Sequence, residues 1–173
     1  MITGIVVALS EELTTLTSKK IDKGNSLFIA DKLLVAYSGA GSDNAQAAAE
    51  SLITKGATRL ISWGCAAALS ASLKPGDLIL ADKLIDAGNV EMAIHADWHS
   101  HTKNLLARLI AVHTGGLAES KSIVSSSKDK KKLQSKTGAV AVDMESIAIT
   151  RVARQYELPF LAIRAIADPI TMD

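Results

Sequence analysis

The chain has 173 residues, of which 48% are hydrophobic and 21% charged, the balance of a globular domain. With a net charge of +1, no overall field favours binding to nucleic acid or to an anionic membrane, and a single cysteine excludes an internal disulfide. No apolar run reaches the ~18 residues of a membrane span and no signal-peptide pattern opens the chain, so we expect one cytoplasmic domain over residues 1–173.

Short aliphatic runs alternate with longer amphipathic stretches along the chain. The predicted strands are Ile2–Leu9, Leu33–Ser38, Arg59–Trp63, Leu78–Leu80, Ser122–Val124, Ala139–Val142 and Phe160–Ile166. The predicted helices are Asp43–Lys55, Thr102–His113, Lys128–Gln134 and Met144–Tyr156. This alternation predicts an α/β domain with a largely parallel sheet. The polar stretch Ser125–Lys136 is expected to be the most flexible part of the chain.

Acidic residues follow three of the predicted strands. Glu11 and Glu12 come after GIVVAL, Asp143 and Glu145 after AVAV, and Asp168 after FLAIRAIA. Because ligands of parallel sheets bind at the carboxyl ends of the strands, these side chains are expected to line one pocket. The structural alternative is that each acid simply stabilises the first turn of a helix through the helix dipole.

Two turns built from small residues lie at the same predicted edge, Ser38–Ser42 (SGAGS) and Gly64–Ala68 (GCAAA). Their backbone N–H groups are suited to hold an anion or a sugar oxygen, although close strand–helix packing would also select small residues. The first turn fits a G-x-G-x-x-A dinucleotide pattern. The acidic residue of that pattern is missing ~20 residues later, where the chain reads ATRL, so no cofactor is expected.

The segment HADWHSH places His95, Asp97, His99 and His101 at alternate positions. On a strand these side chains would share one face and suit a metal ion. The segment is more typical of a loop, solvated or covering a substrate, and no metal site is expected.

Two other features have simple structural interpretations. Cys65 has no identifiable base beside it and is expected to be a small buried residue. The lysines from Lys128 to Lys132 are expected to form a solvated helix face.

Four segments resemble the nucleoside phosphorylase and nucleosidase superfamily: GIVVALSEEL, YSGAGSDNAQAAA, WGCAAALSASLKPGDLIL and AVAVDMESIAITRVARQYELPFLAIRAIAD. They occur in the family's order, from the first strand to Asp168, whereas residues 88–135 are not matched. The resemblance is nearest to the branch that hydrolyses 5′-methylthioadenosine and S-adenosylhomocysteine. It implies a phosphorylase/hydrolase-like α/β fold, with a mixed twisted sheet flanked by helices.

The resemblance also implies an activity, an N-ribosyl hydrolase that releases a purine base from an adenosine-type nucleoside. Asp168 would protonate the purine at N7, and Glu12 would activate the attacking water. Glu145 would accept hydrogen bonds from the ribose hydroxyls, with Met144 against the sugar. The phosphate or water side would be lined by Ser42, Gly64 and Cys65.

Some positions depart from the family pattern. Phosphorylases of the superfamily carry an arginine in the first strand–helix loop and another before the second glycine turn, where this chain has Leu9–Glu12 and Ser62–Trp63. A phosphate dianion needs fixed cationic donors, so water is favoured as the nucleophile. Cys65 stands in place of serine or threonine, and Ala167 in place of the serine before the catalytic aspartate.

Two alternative functions remain open. The motif VDMES also resembles the hopanoid-associated phosphorylase group, which implies release of adenine from adenosylhopane. The family normally continues for some tens of residues past Asp168, so we expect the C-terminal helix to be lacking and Asp168 to have no cover from this chain. A bare sheet face would favour a homo-oligomer, or a non-catalytic remnant that binds nucleosides or forms oligomers. The expected partner is a small-molecule nucleoside, with no nucleic acid and no membrane span.

Overall fold

A computed structural model describes residues 1–173. The strands are β1 (Ile2–Val7), β2 (Ser26–Ala30), β3 (Leu33–Tyr37), β4 (Ala57–Ala68), β5 (Leu78–Leu80), β6 (Lys83–Ile85), β7 (Glu91–Ala93), β8 (Val112–His113), β9 (Gly116–Glu119), β10 (Ala141–Asp143) and β11 (Phe160–Asp168). The helices are α1 (Ser10–Thr14), α2 (Ser42–Thr54), α3 (Ala96–Leu106), α4 (Ser127–Thr137) and α5 (Ser146–Gln155). None of the helices has the length and apolar character needed to cross a membrane.

The chain forms two compact units. The first contains Met1–Gly64 and Glu145–Ala162, and the second contains Cys65–Met144 and Ile163–Asp173. The prediction of a single domain over residues 1–173 stays a prediction. The mixed α/β fold, with a twisted mixed sheet flanked by helices, is confirmed.

The first unit is built on the strand order β2-β3-β1-β4. β1 is parallel to both β3 and β4, whereas β2 is antiparallel to β3. Aliphatic side chains from β1, β3, α1 and the segment between α1 and β2 pack into one buried cluster, formed by Ile5, Val7, Leu13, Ile21 and Val35. Burial of these apolar side chains is the main favourable contribution to the free energy of folding of the unit.

Helix α2 lies close to this sheet because small residues face it. Its buried residues Ala45, Ala49 and Leu52 follow helical spacing. On the strand side, a Cβ added to Gly4 would come within 3.1 Å of Leu52 and 2.9 Å of Leu60. The absence of a side chain at Gly4 is therefore what lets the helix approach.

The second unit has two sets of paired strands. β10 is antiparallel to the end of β4 and parallel to β9, which is parallel to β6, and β7 completes that side as an antiparallel strand. β5 pairs with β11 in antiparallel orientation and with β8 in parallel orientation. The core between these strands and α4 is formed by Leu69, Ile85, Ala118, Ala139 and Val142.

Most long elements agree with the sequence predictions, but two predicted elements are wrong. Ser122–Val124 is not a strand. The helix predicted at Thr102–His113 begins earlier, at Ala96, and ends at Leu106, and residues 112–113 belong to β8. The apolar spacing that suggested the later bounds does not mark a buried face, since Leu109 is 86% exposed.

The stretch Ser125–Lys136, expected to be flexible, folds as α4. Ser126 caps the helix, its side chain accepting a hydrogen bond from the backbone N–H of Asp129 at 3.0 Å. Gly138 ends it in the left-handed conformation, with φ at 69°.

Candidate active site

Asp168 is the last residue of β11, where the long apolar strand reaches its carboxyl end. Its side chain is 31% exposed, and its Oδ2 atom lies 2.9 Å from the Nζ atom of Lys130. The other carboxylate oxygen, Oδ1, is buried and has no hydrogen-bond partner. A buried carboxylate oxygen without a partner is costly unless a ligand supplies the missing hydrogen bond.

Lys130 projects from α4, and its side chain is completely buried. Its Nζ donates hydrogen bonds to the backbone carbonyls of Pro169, at 3.0 Å, and Met172, at 2.7 Å. The expectation of a solvated lysine face is therefore wrong for this residue, although Lys131 and Lys132 are exposed. The signal that was missed is helical spacing, because Lys130 shares a face with the partly buried Leu133.

The residues after Asp168 also pack within the second unit. Ile170 is 6% exposed, and a carboxylate oxygen of Asp173 accepts a hydrogen bond of 2.5 Å from the backbone N–H of Ser127. That N–H is one of the free donors at the start of α4, where a carboxylate is favoured. The expectation that nothing in this chain covers Asp168 is wrong for one carboxylate oxygen, since Lys130 contacts Oδ2. No helix follows β11 in residues 1–173.

A second buried ion pair joins Arg164 of β11 to Asp143 of β10. The Nε atom of Arg164 lies 2.9 Å from Oδ2 of Asp143, and the two side chains are 2% and 3% exposed. Arg164 also donates from Nη1 to the backbone carbonyl of Cys65, at 3.3 Å. Sequence reasoning did not single out Arg164, although an arginine inside the apolar run FLAIRAIA requires a buried partner.

Glu12 belongs to α1 in the first unit and is 5% exposed. Its Oε2 atom accepts hydrogen bonds from the backbone N–H groups of Ala8, at 2.9 Å, and Leu9, at 3.1 Å. The neighbouring Glu11 is exposed and accepts only a surface contact from Ser10. The two consecutive glutamates therefore differ, because the strand–helix turn directs Glu12 inward.

Three other predicted site residues also lie in the first unit. Glu145 is the half-buried N-cap residue of α5, and Gly64 lies in β4. Ser42 is the exposed first residue of α2. The turn before it has Gly39 and Gly41 at positive φ, 82° and 95°, a conformation that glycine adopts without strain.

The remaining predicted residues, Cys65 and Met144, lie in the second unit. Met144 is half-buried at the end of β10. Cys65 is exposed, so its expected burial is wrong. The reason is strand alternation, since Ala66 and Ala68 of β4 take the buried positions. The prediction that all seven site residues line one pocket stays a prediction.

The histidine-rich segment is the start of α3 and not the expected loop. His95 caps the helix, with its Nδ1 accepting from the backbone N–H of Trp98 at 3.2 Å. His99 lies 3.3 Å through Nε2 from the carbonyl oxygen of Leu80. Residues 1–173 contain no group of three or more His, Cys, Asp or Glu side chains arranged to hold a metal ion.

Comparison with known proteins identifies the family of the chain. The phosphorylase superfamily model matches residues 3–173. A 5′-methylthioadenosine/S-adenosylhomocysteine nucleosidase of Staphylococcus epidermidis is 25% identical, over 95% of this chain and 85% of that protein. An enzyme of the same description from Buchnera aphidicola is 32% identical, over 63% of this chain and 54% of that protein.

Solved structures show the same fold. The 5′-methylthioadenosine/S-adenosylhomocysteine nucleosidase of Campylobacter jejuni has a TM-score of 0.86 at 25% identity, covering 100% of this chain and 88% of that chain. The futalosine hydrolase of Helicobacter pylori has a TM-score of 0.86 at 23% identity, covering 98% of this chain and 85% of that chain. The chain therefore belongs to the phosphorylase superfamily.

Proposed function

We propose that this chain is an N-ribosyl hydrolase that cleaves the glycosidic bond of an adenosine-type nucleoside and releases the purine base. The observation that supports it most directly is the carboxylate of Asp168, with Oδ2 paired to Lys130 and Oδ1 buried without a partner. In the protonated acid, Oδ1 can donate a hydrogen bond to a purine nitrogen. The activity named for the relatives is of the same chemical class.

The proposed reaction breaks the bond between the ribose C1′ and the purine N9. The purine is a poor leaving group, so Asp168 gives a proton to N7 as the bond electrons move onto the base. Water adds to the oxocarbenium-like C1′ and loses a proton to Glu12. Separated carboxylates in these two roles are the usual solution in glycoside hydrolysis.

The other predicted site residues hold the sugar and the water in this proposal. Glu145 accepts hydrogen bonds from the ribose 2′- and 3′-hydroxyls, and Met144 packs against the ribose. The side from which water attacks is lined by Ser42, Gly64 and Cys65. The cytoplasmic location and the homo-oligomer expected from the sequence stay predictions.

Water rather than phosphate is the proposed nucleophile. The segment Leu9–Glu12 contains no arginine, and Ser62 and Trp63 stand where phosphorylases carry their second arginine. We expect base release from 5′-methylthioadenosine, adenosylhomocysteine or an adenosylated lipid at the same rate with and without inorganic phosphate. Product analysis by mass spectrometry should show the free sugar. Formation of a sugar 1-phosphate, or a rate that rises with phosphate, would favour the hopanoid-associated phosphorylase alternative.

Glu12→Gln is expected to lower kcat by about 10²–10⁴-fold, because an amide cannot accept the proton of the attacking water. The amide oxygen can still accept the hydrogen bonds from Ala8 and Leu9, so the melting temperature should change little. Base release and thermal denaturation, measured on one preparation, separate the catalytic role of Glu12 from its structural role. The matched control is Glu11→Gln on the exposed neighbour, which should retain the wild-type rate.

A further inference from the structure

The ammonium group of Lys130 is buried and uses all of its hydrogen-bonding capacity. Its three donors meet three oxygen atoms: Oδ2 of Asp168 at 2.9 Å, the Pro169 carbonyl at 3.0 Å and the Met172 carbonyl at 2.7 Å. A buried ion pair contributes little stability compared with well-packed apolar residues of similar size. Apolar residues in place of both members of the pair could be equally stable, whereas loss of the lysine alone would leave three oxygen atoms without their donor. Net stability therefore does not account for the pair.

The contacts of Lys130 determine the orientation of the Asp168 carboxylate. One contact holds a carboxylate oxygen, and two hold the backbone just beyond the strand end. Pro169 restricts the same backbone through its ring. The Lys130 ammonium therefore holds both the side chain of Asp168 and the main chain that follows it. Oδ1 of Asp168 is the carboxylate oxygen left without a partner. Because Oδ2 already accepts a hydrogen bond, a proton carried by Asp168 resides on Oδ1.

We propose that Lys130 is a positioning residue for Asp168, which directs the proton of the general acid onto the oxygen that faces the purine. The inference rests on the proposed function and adds a residue that does not itself contact the substrate. The proton moves from Oδ1 to the purine nitrogen, and the Lys130 ammonium keeps its own protons throughout. Small misplacements of catalytic groups reduce rates by about 10²-fold.

The first test replaces Lys130 by methionine, which keeps the length of the side chain and removes the charge. We expect kcat for base release to fall roughly 100-fold, whereas KM should change less than about three-fold. Lys132→Met is the matched control, because it makes the same substitution on an exposed position of α4 and should leave kcat unchanged. Lys130→Gln, which keeps N–H donors in the site, replaces K130M if that variant does not melt cooperatively.

A double-mutant cycle separates positioning from general destabilisation. In an Asp168→Asn background the general acid is already absent. Adding K130M to that variant should therefore lower the remaining rate of base release less than three-fold, a change about as small as the assay can resolve. An equal loss in both backgrounds would show that Lys130 acts independently of Asp168 and would overturn the inference. K130M with wild-type kcat would overturn it as well, while leaving the proposed function intact. A wild-type chain that releases no base from any nucleoside would instead overturn both.

Discussion

Asp168→Asn is expected to lower kcat by about 10²–10⁴-fold, the usual contribution of a general acid, with little loss of nucleoside binding. Asparagine has almost the same shape, and its amide oxygen can still accept the hydrogen bond from Lys130. It has no acidic proton to transfer to the leaving purine. Single-turnover base release would measure the chemical step, and isothermal titration with a nucleoside would measure binding.

The control for this substitution is Asp31→Asn, which makes the same chemical change at an exposed turn between β2 and β3. It should match the wild type in rate and affinity. If D168N released base at more than one tenth of the wild-type rate, the general acid would have been misassigned. Loss of binding together with rate would indicate that Asp168 mainly holds the substrate.

Arg164→Met is expected to lower the free energy of unfolding by about 3–5 kcal/mol, because it leaves the buried carboxylate of Asp143 without its cation. Both side chains are at most 3% exposed, so water cannot replace the lost contact. The hydrogen bond from Arg164 to the Cys65 carbonyl is lost as well. Urea denaturation followed by circular dichroism would measure the change.

The double variant D143N/R164M tests the cause of that destabilisation. Removing both charges eliminates the uncompensated carboxylate, so the double variant should be more stable than R164M alone. Equal or greater destabilisation would show that packing of the arginine stem, and not the charge, dominates at this position.

The exposed ion pair between Lys83 and Glu91 can be compared with the buried pair between Arg164 and Asp143. Lys83 lies 2.8 Å from Glu91, but the two side chains are 41% and 60% exposed. The hydrogen bond to Glu91 and the charge of that carboxylate raise the pKa of Lys83 above its usual value, so Lys83 carries its charge at neutral pH. Lys83→Met should nevertheless leave the denaturation midpoint unchanged, because solvent screens such a pair.

Elements with strong local patterns were predictable from the sequence. β5 matches its predicted bounds, Leu78–Leu80, and α2 and α5 lie within two residues of theirs. β2, β6, β7, β8 and β9 were not predicted as strands. They have two to five residues, and strands this short carry little periodicity, although β5, as short as β6 and β7, was found. Histidine at a helix N-cap is uncommon, so the sequence pattern does not indicate that α3 begins at Ala96.

The sequence by itself determined the family and the placement of acids after apolar runs, because strand periodicity and short motifs are local properties of the chain. Only the tertiary structure decided which charges are buried and paired. In the sequence, Lys130 is one of several lysines on a polar helix. Of the lysines from Lys128 to Lys132, only Lys130 contacts Asp168. Arg164 likewise meets Asp143 only when β11 and β10 are folded. Pairing of this kind depends on contacts between distant segments, and a buried charge is tolerated only where such a contact satisfies it.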